Sequence, residues 1–273
     1  MKFVIFTDTH MVPEGAPLYG IDPGANLAAA VELVEREHAD AAFVLHLGDL
    51  TNRGEPGAYA RAAAILAGLS RPLLLLTGNH DDRAEMRRHF PGLDDDGAGF
   101  VQALRVMEEA TILTLDTLEP EAGTAGRLCP RRLAFLDRAL SEAPTDRPLL
   151  LFQHHPPLDL GLPGMDRIRL LDADDEHEVF IETRFPDWIF CGHVHRPISG
   201  RWRGIPFLVP RGTSHQIAYD PRPGARNAGS REAPEITVVD VRRDGTLIAQ
   251  ARPIFDPGRF ALGDLTGATP PEG

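Results

Sequence analysis

The chain has 273 residues, of which 42% are hydrophobic and 25% charged, and these proportions are ordinary for a soluble globular protein. Its net charge of −12 disfavours binding of a nucleic-acid polymer, because phosphate contacts need clustered Lys and Arg. The apolar N-terminal run is interrupted too early, at Asp8, for a secretory signal, and no segment approaches the length of a membrane span. We therefore expect a cytoplasmic protein without a membrane partner, whose two cysteines, Cys129 and Cys191, stay reduced.

The first third of the chain alternates short apolar runs with amphipathic stretches, which is typical of βαβ units. The apolar runs predict strands at Lys2–Thr7, Ala41–Leu47 and Leu73–Thr77. The amphipathic or charged stretches predict helices at Gly24–His38, Pro56–Leu69 and Asp81–Phe90.

The pattern changes after Phe90. Phe100–Val106 and Thr111–Thr117 predict an antiparallel hairpin rather than another βαβ unit. Beyond it we expect the following elements: helices at Pro130–Ala143 and Asp172–Arg184, strands at Leu149–Gln153 and Trp188–Cys191, and a loop or small lid at residues 158–171.

The C-terminal part carries turn signals at Gly204 and Gly245, which predict two β-hairpins. Their strands are expected near Ile205–Val209, Glu235–Val241 and Thr246–Arg252, with a loop at residues 220–232 and a frayed tail from Gly263. We expect a catalytic core over residues 1–215. Residues 216–273 would form a C-terminal β extension and tail, either part of the same domain or a subunit interface.

Each of five predicted strands ends in potential metal ligands. In chain order these are Asp8 and His10, Asp49, Asn79, His154, and His193 with His195. Ligands bind at the carboxyl ends of strands in open α/β sheets. Side chains two residues apart also leave an extended backbone on the same face. The sequence therefore predicts that all seven side chains converge on one site.

The number of ligands indicates two metal ions. Two carboxylates, four imidazoles and one amide are too many for a single tetrahedral ion with an open position, but they suit two ions that share a carboxylate. Asp49 is the natural shared ligand, because it has two oxygens and follows a tight turn at Gly48. Mixed nitrogen and oxygen donors favour Mn, Fe, Zn or Co over Ca.

These ligands lie in five motifs with a characteristic order. The motifs are DTH at Asp8–His10, GDLTNRG at Gly48–Gly54, GNHD at Gly78–Asp81, the His154–His155 pair and GHVH at Gly192–His195. As a set they resemble the calcineurin-like metallophosphoesterase superfamily, and most of all its class III branch of cyclic-nucleotide phosphodiesterases and glycerophosphodiesterases. The resemblance implies an α/β fold, a four-layer αββα sandwich with a small lid and C-terminal β-hairpins.

The resemblance also implies a role for each ligand. One ion would be held by Asp8, His10, Asp49 and His195. The other would be held by Asp49, Asn79, His154 and His193. Relatives in this branch are oligomeric, which implies a homo-oligomer, a dimer or larger.

Three further histidines are assigned on the same basis. His80 is expected to contact a phosphoryl oxygen of the substrate or to assist the leaving group. His215, in GTSHQ, is expected near the substrate, and His80, Asp49 and His215 form the predicted catalytic set. His155 is expected to orient its loop rather than to bind metal.

Two divalent ions can acidify a shared water near neutral pH, and the hydroxide would attack phosphorus in line. We therefore expect a binuclear metal-dependent phosphodiesterase for a small phosphodiester, with 3′,5′-cyclic AMP or a related cyclic nucleotide as the first choice. The alternatives are a glycerophosphodiester, or broad specificity for 2′,3′-cyclic nucleotides and aryl diesters. A scaffold that has lost catalysis is disfavoured, because every ligand position is filled.

Overall fold

Two β-sheets lie face to face in the computed structural model, which describes residues 1–255 and residue 258. The strands are β1 (Lys2–Phe6), β2 (Val44–His46), β3 (Leu73–Leu75), β4 (Ala103–Val106), β5 (Thr111–Leu115), β6 (Leu149–Gln153), β7 (Trp188–Cys191), β8 (Ile198–Trp202), β9 (Ile205–Val209), β10 (Gln216–Ile217), β11 (Gly229–Ser230), β12 (Glu235–Val241) and β13 (Leu247–Pro253). The helices are α1 (Pro23–Glu37), α2 (Pro56–Leu66), α3 (Arg83–His89), α4 (Pro130–Glu142), α5 (Pro163–Asp166) and α6 (Ala173–Glu182).

The first sheet has the strand order β13-β12-β1-β2-β3. Strands β1, β2 and β3 run parallel, while β12 is antiparallel to both β1 and β13. The second sheet has the order β4-β5-β6-β7-β9-β8, with β5, β6, β7 and β9 parallel. Strands β10 and β11 form a separate two-stranded ladder. The parallel strands bring their carboxyl ends to one edge of each sheet, and the predicted ligands follow those ends.

Aromatic side chains fill the space between the two sheets. Phe3 of β1 stacks on Phe43 at 4.9 Å between ring centroids, and Phe152 of β6 stacks on Phe190 of β7 at 4.8 Å. The two pairs meet edge to face, with the Phe3 and Phe152 centroids 5.8 Å apart. Offset and edge-to-face contacts of this kind add to the stabilisation from apolar burial, so the inter-sheet layer fixes one sheet against the other.

Helices cover the outer face of each sheet. Because side chains alternate along a strand, Val4 and Phe6 face away from Phe3 and pack with α1 and α2. Helices α4 and α6 cover the second sheet, through residues such as Leu136 and Phe180. The layer order is therefore helix, sheet, sheet, helix, and the predicted four-layer sandwich is confirmed.

Helix starts follow local chemistry. The side chain of Asp22 accepts a hydrogen bond from the Gly24 amide (2.9 Å), and Pro23 occupies the first turn of α1. The Asp82 carboxylate likewise caps α3 by accepting from the amides of Ala84 and Glu85. Helix α3 thus begins at Arg83, two residues later than predicted.

Most predicted elements are present, and several differ in length or pairing. Strands β2 and β3 are three residues long and shorter than predicted, and the predicted hairpin of β4 and β5 exists, but β5 also pairs in parallel with β6. The predicted loop at residues 220–232 is wrong at β11, because Gly229 and Ser230 pair with β10. Residues 158–171 contain the single-turn helix α5.

The predicted C-terminal hairpin around Gly245 is formed by β12 and β13, and β12 pairs with β1. The predicted frayed tail from Gly263 lies outside the described residues. In the part of the chain that the structure describes, no helix is both long and apolar enough to span a membrane.

Candidate metal centre

Five of the seven predicted ligands have a left-handed backbone. Their φ angles are positive: Asp8 53°, His10 44°, Asp49 54°, His193 70° and His195 50°. This region is strained for residues other than glycine, and such strain concentrates at functional sites. The expectation that Asp8–His10 and His193–His195 project from extended backbone is therefore wrong. These side chains lie on strained turns at the strand ends.

The first cluster combines two carboxylates and two imidazoles. Ligand atoms of Asp8, His10, Asp49 and His195 all lie within 4.8 Å of one another, and all four residues are buried. The closest pairs are His10 Nε2 to His195 Nε2 at 3.0 Å and His195 Nε2 to Asp8 Oδ1 at 3.3 Å. So many lone pairs in one buried place are costly unless a cation is shared between them.

The second cluster combines three imidazoles. Ligand atoms of His154, His155 and His193 also lie within 4.8 Å of one another. His155 was expected to orient its loop, and its Nδ1 does lie 2.8 Å from Thr117 Oγ1. Its presence among possible ligands was not predicted, although it directly follows His154 in the sequence.

Asp49 belongs to the first cluster and also lies beside the second. Its Oδ2 is 3.5 Å from His10 Nε2 in the first cluster and 3.3 Å from His154 Nε2 in the second. Its other oxygen, Oδ1, accepts a hydrogen bond from the His80 amide at 2.8 Å. One carboxylate oxygen is thus positioned against both clusters, while the other is held by the backbone.

Several buried side-chain atoms that could ligate a metal have no hydrogen-bond partner. They are Asn79 Oδ1, His154 Nε2, His155 Nε2 and His193 Nε2. Most buried polar atoms in proteins are satisfied, so a group of orphaned atoms around one centre requires an explanation. Oxygen and imidazole nitrogen atoms are suitable ligands for divalent transition metals. The residues present therefore fit metal ions.

Backbone contacts fix which ring nitrogen faces the centre. His154 Nδ1 donates to the carbonyl of Leu47, and His195 Nδ1 donates to the carbonyl of His215, both at 2.8 Å. In the neutral ring each Nε2 then keeps its lone pair. This arrangement, with one ring N–H bonded to a carbonyl and the other nitrogen free, is the usual state of a metal-ligating histidine.

The Asp8 carboxylate is oriented in a similar way. Its oxygens accept from the His193 amide at 3.1 and 3.2 Å, and Oδ2 also accepts from the Thr7 hydroxyl at 2.7 Å. Burial opposes ionisation of this group, but the charge and hydrogen bond of His195 and the charge of His154 together outweigh it and hold the pKa of Asp8 below its usual range. Asp8 is therefore negatively charged, which suits a residue that could hold a cation.

Two histidines of the second cluster differ in charge. Burial lowers the pKa of His154, but Asp49 and Asp8 outweigh it and raise that pKa to about 9. Burial, assisted by the charge of His154, lowers the pKa of His193 to about 3. Without a bound cation, His154 therefore carries a proton at neutral pH. A metal ion that binds the ring would displace this proton.

Glycines permit the close packing of the three turns. A Cβ atom on Gly78 would lie 2.2 Å from Asp49 Oδ1, and one on Gly192 would lie 2.5 Å from Thr7 Oγ1. Neither distance is possible for a real side chain, so only glycine fits at these positions. The glycines of the GDLTNRG, GNHD and GHVH motifs therefore serve to bring the strand ends together.

The role of Asp81 was not predicted from the sequence. Its carboxylate accepts from the amides of Leu50, Thr51 and Gly78 at 3.0 to 3.1 Å, and from the Tyr59 hydroxyl at 3.0 Å. It thereby joins the turn that carries Asp49 to the turn that carries Asn79. Its place as the last residue of GNHD was the available signal.

The two predicted catalytic histidines lie at the rim of the clusters. The His80 ring is 4.8 Å from that of His10, and the His215 ring is 4.9 Å from His10 and 4.6 Å from His195. Both histidines line a cavity of about 290 Å³ together with Asp49 and Asn79. The structure thus brings all predicted site residues to one place.

Comparison with known proteins shows the family of the chain. Residues 1–197 match the family model described as calcineurin-like phosphoesterase. The chain belongs to the calcineurin-like phosphoesterase family. The resemblance predicted from the five motifs is confirmed.

Two similar family members bear out the predicted class III branch. The chain is 52% identical over 265 residues to a probable cyclic nucleotide phosphodiesterase of Rhodopseudomonas palustris, with 97% of each chain covered. It is 35% identical over 236 residues to the glycerophosphodiester phosphodiesterase GpdQ of Enterobacter lignolyticus, with 82% of each chain covered.

A solved structure supports the fold of this phosphoesterase. The dimetal phosphatase of Danio rerio superposes with a TM-score of 0.69 at 14% identity, over 93% of this chain and 96% of that one. At this identity the likeness concerns the fold alone.

Proposed function

We propose that this phosphoesterase is a binuclear metal-dependent phosphodiesterase that hydrolyses 3′,5′-cyclic nucleotides, with cyclic AMP as the main substrate. The proposal of two metal ions is supported by the position of Asp49 Oδ2, which lies 3.5 Å from His10 Nε2 and 3.3 Å from His154 Nε2. The substrate class is supported by two relatives. One is the probable cyclic nucleotide phosphodiesterase at 52% identity. The other is the 3′,5′-cyclic AMP phosphodiesterase CpdA of Escherichia coli, at 26% identity over 94% of this chain and 90% of that one.

Two sets of four residues, which share Asp49, would each hold one divalent ion. Asp8, His10, Asp49 and His195 would hold the first, and Asp49, Asn79, His154 and His193 the second. Mn, Fe, Zn and Co suit this donor set. When bound, such a pair activates water and neutralises charge on the phosphoryl oxygens.

The protein contributes two histidine rings at the rim. His80 Nδ1 donates to the carbonyl of Asn52 at 2.7 Å, which leaves Nε2 available to contact a phosphoryl oxygen or to assist the leaving group. Burial and the charge of His195 lower the pKa of His215 to about 4, so its ring is neutral at pH 7. His215 Nδ1 is buried without a partner, and we assign it to the substrate.

A glycerophosphodiester is the second candidate substrate, on the strength of the relative at 35% identity. Broad specificity for 2′,3′-cyclic nucleotides and aryl diesters would follow from the same metal chemistry. All these substrates share a phosphodiester group and differ in what is attached to it.

We also propose that the protein is cytoplasmic and forms a homo-oligomer. Cys129 and Cys191 are both free thiols, in agreement with a reducing compartment. Strand β13 is an edge strand with Ile248 exposed, and such an edge can pair with a second copy. The division into a core of residues 1–215 and an extension of residues 216–273 stays a prediction.

Substitution of the ligands tests the proposal. Asp49→Ala should abolish hydrolysis of bis(p-nitrophenyl) phosphate and remove both ions, whereas His193→Ala should abolish hydrolysis and remove one, as measured by elemental analysis. His38→Ala is the matched control, since His38 is half-buried at the end of α1 and its ring has no hydrogen-bond partner. If the wild type, loaded with Mn, hydrolyses no diester, the proposed function is wrong.

A further inference from the structure

A second and larger cavity opens beside the metal centre. Its volume is about 570 Å³, which lies within the range of small-molecule sites. Four residues line both this cavity and the one at the metal clusters: Tyr19, His215, Ile217 and Asn227. The two spaces are therefore neighbours, and one molecule can occupy both.

The walls of this side cavity are mostly apolar. Ile21, Ile217 and Pro234 line it, and Tyr19 and Phe255 stand at its rim with 70% and 51% of their surface exposed. Large aromatic side chains this exposed contribute little to a fold, but they offer flat surfaces for stacking with a ligand. The apolar walls and exposed aromatic rings of the cavity thus suit a flat, partly apolar group.

Two buried polar atoms line the same cavity without partners. Ser214 is only 4% exposed, and its Oγ has no hydrogen bond. His215 Nδ1 next to it is also unpartnered. A buried hydroxyl without a partner costs free energy, which a ligand that hydrogen-bonds to it recovers. Ser214 therefore marks one unsatisfied polar contact point in a cavity that Asn26, Arg231 and Glu232 also line.

The outer wall of the cavity is held in place by two contacts. Strand β10 pairs with β11, and the Ala218 amide donates to the Ala228 carbonyl at 2.8 Å. On the other side, Asn227 presses on Gly164 of α5: a Cβ on Gly164 would lie 1.9 Å from Asn227 Oδ1 and 3.1 Å from its backbone nitrogen. The segment of residues 158–171 thus sets the position of this wall.

We infer that the side cavity binds the nucleoside part of the substrate, with the base between the apolar walls and Ser214 Oγ hydrogen-bonded to it. The inference rests on the proposed function, because the phosphodiester group must lie at the metal clusters. A nucleobase is flat and has polar edges, and it matches both the apolar walls and Ser214. A glycerol group is small and fully polar, and would leave those walls without a contact. The cavity therefore selects nucleotides over glycerophosphodiesters.

Ser214→Ala tests the polar contact. It should lower kcat/KM for cyclic AMP by about 3- to 10-fold, the effect of one lost hydrogen bond, and lower it less for bis(p-nitrophenyl) phosphate. Gly164→Ala should raise KM for cyclic AMP more than KM for the aryl diester, because the new methyl group displaces Asn227. Gly92→Ala is the matched control, since a Cβ there meets nothing within 4 Å, and it should change neither substrate.

Adenosine provides a measurement that does not depend on turnover. It has no phosphoryl group, so its binding by equilibrium dialysis reports the side cavity, and Ser214→Ala should weaken that binding by the same factor. If the wild type cleaves both diesters but does not bind adenosine, the inference fails and the proposed function stands. An equal effect of Ser214→Ala on both diesters also overturns the inference. If the wild type cleaves no diester, the proposed function itself fails.

Discussion

A buried carboxyl group beneath the metal centre should make the stability of the protein fall as pH rises. Glu176 lies on the inner face of α6 with no exposed surface, and neither carboxyl oxygen has a hydrogen-bond partner. Burial raises its pKa to about 8, although the neighbouring Gln153 amide opposes that shift. Gln153 directly precedes His154 in the sequence. Burial raises the pKa of Cys191 on β7, and the charge of Glu176 raises it further. The group is therefore a neutral acid at pH 7.

The size of the stability loss follows from the difference between the pKa of Glu176 in the folded chain and in the unfolded chain. Below pH 4.5, the ordinary value, Glu176 is protonated in both the folded and the unfolded chain. Between pH 4.5 and about 8 only the unfolded chain loses the proton, so unfolding becomes easier as pH rises. At about 1.36 kcal/mol per pH unit this loss reaches roughly 5 kcal/mol, and it is complete above pH 8. The uncharged variant Glu176→Gln lacks this pH-dependent loss of stability.

Urea unfolding of wild type and Glu176→Gln at pH 5, 7 and 9 measures the effect. The two proteins should have similar free energies of unfolding at pH 5, and the variant should be more stable by several kcal/mol at pH 9. Glu182→Gln, at the exposed end of the same helix, is the control and should follow the wild type. A constant difference between wild type and Glu176→Gln across this pH range would refute the reasoning.

Three further predictions concern the turns, the ions and the inter-sheet layer. Gly78→Ala should displace Asp49 and abolish metal binding measured by elemental analysis, while circular dichroism still shows a folded chain; full metal content would contradict this. Mn at 100 times its Kd should raise the free energy of unfolding by about 2.7 kcal/mol per site, and EDTA should reverse the gain. No shift in Tm with Mn would contradict that. Phe152→Ala should cost about 3–5 kcal/mol in urea unfolding, because it empties the layer between the sheets, and a cost under 1 kcal/mol would disprove this packing.

The sequence predicted which side chains converge, but not how they do so. Ligands at the ends of five apolar runs were recognisable because strands, turns and motifs are local features of the chain. The left-handed backbone at Asp8 and Asp49 was not predicted, since the strain is imposed by the packing of neighbouring turns on glycines such as Gly78. A local sequence pattern does not predict packing between turns that are distant in the chain.

Long-range features escaped prediction for the same reason. The side cavity depends on a short ladder between β10 and β11, and its strands are two residues long in a segment rich in Pro and Gly. Glu176 follows Asp174 and Asp175, which are exposed, and nothing in the sequence distinguishes it from a solvated acid. Only tertiary packing makes Glu176 buried while Asp174 and Asp175 stay exposed.

The most direct test of the account is a comparison of kcat/KM for three substrates with the Mn-loaded wild type: 3′,5′-cyclic AMP, a glycerophosphodiester and a phosphomonoester. We predict that cyclic AMP is hydrolysed with the highest kcat/KM, the glycerophosphodiester more slowly, and the monoester least. Preferential hydrolysis of the monoester, or no hydrolysis of either diester, would contradict the assignment as a cyclic-nucleotide phosphodiesterase.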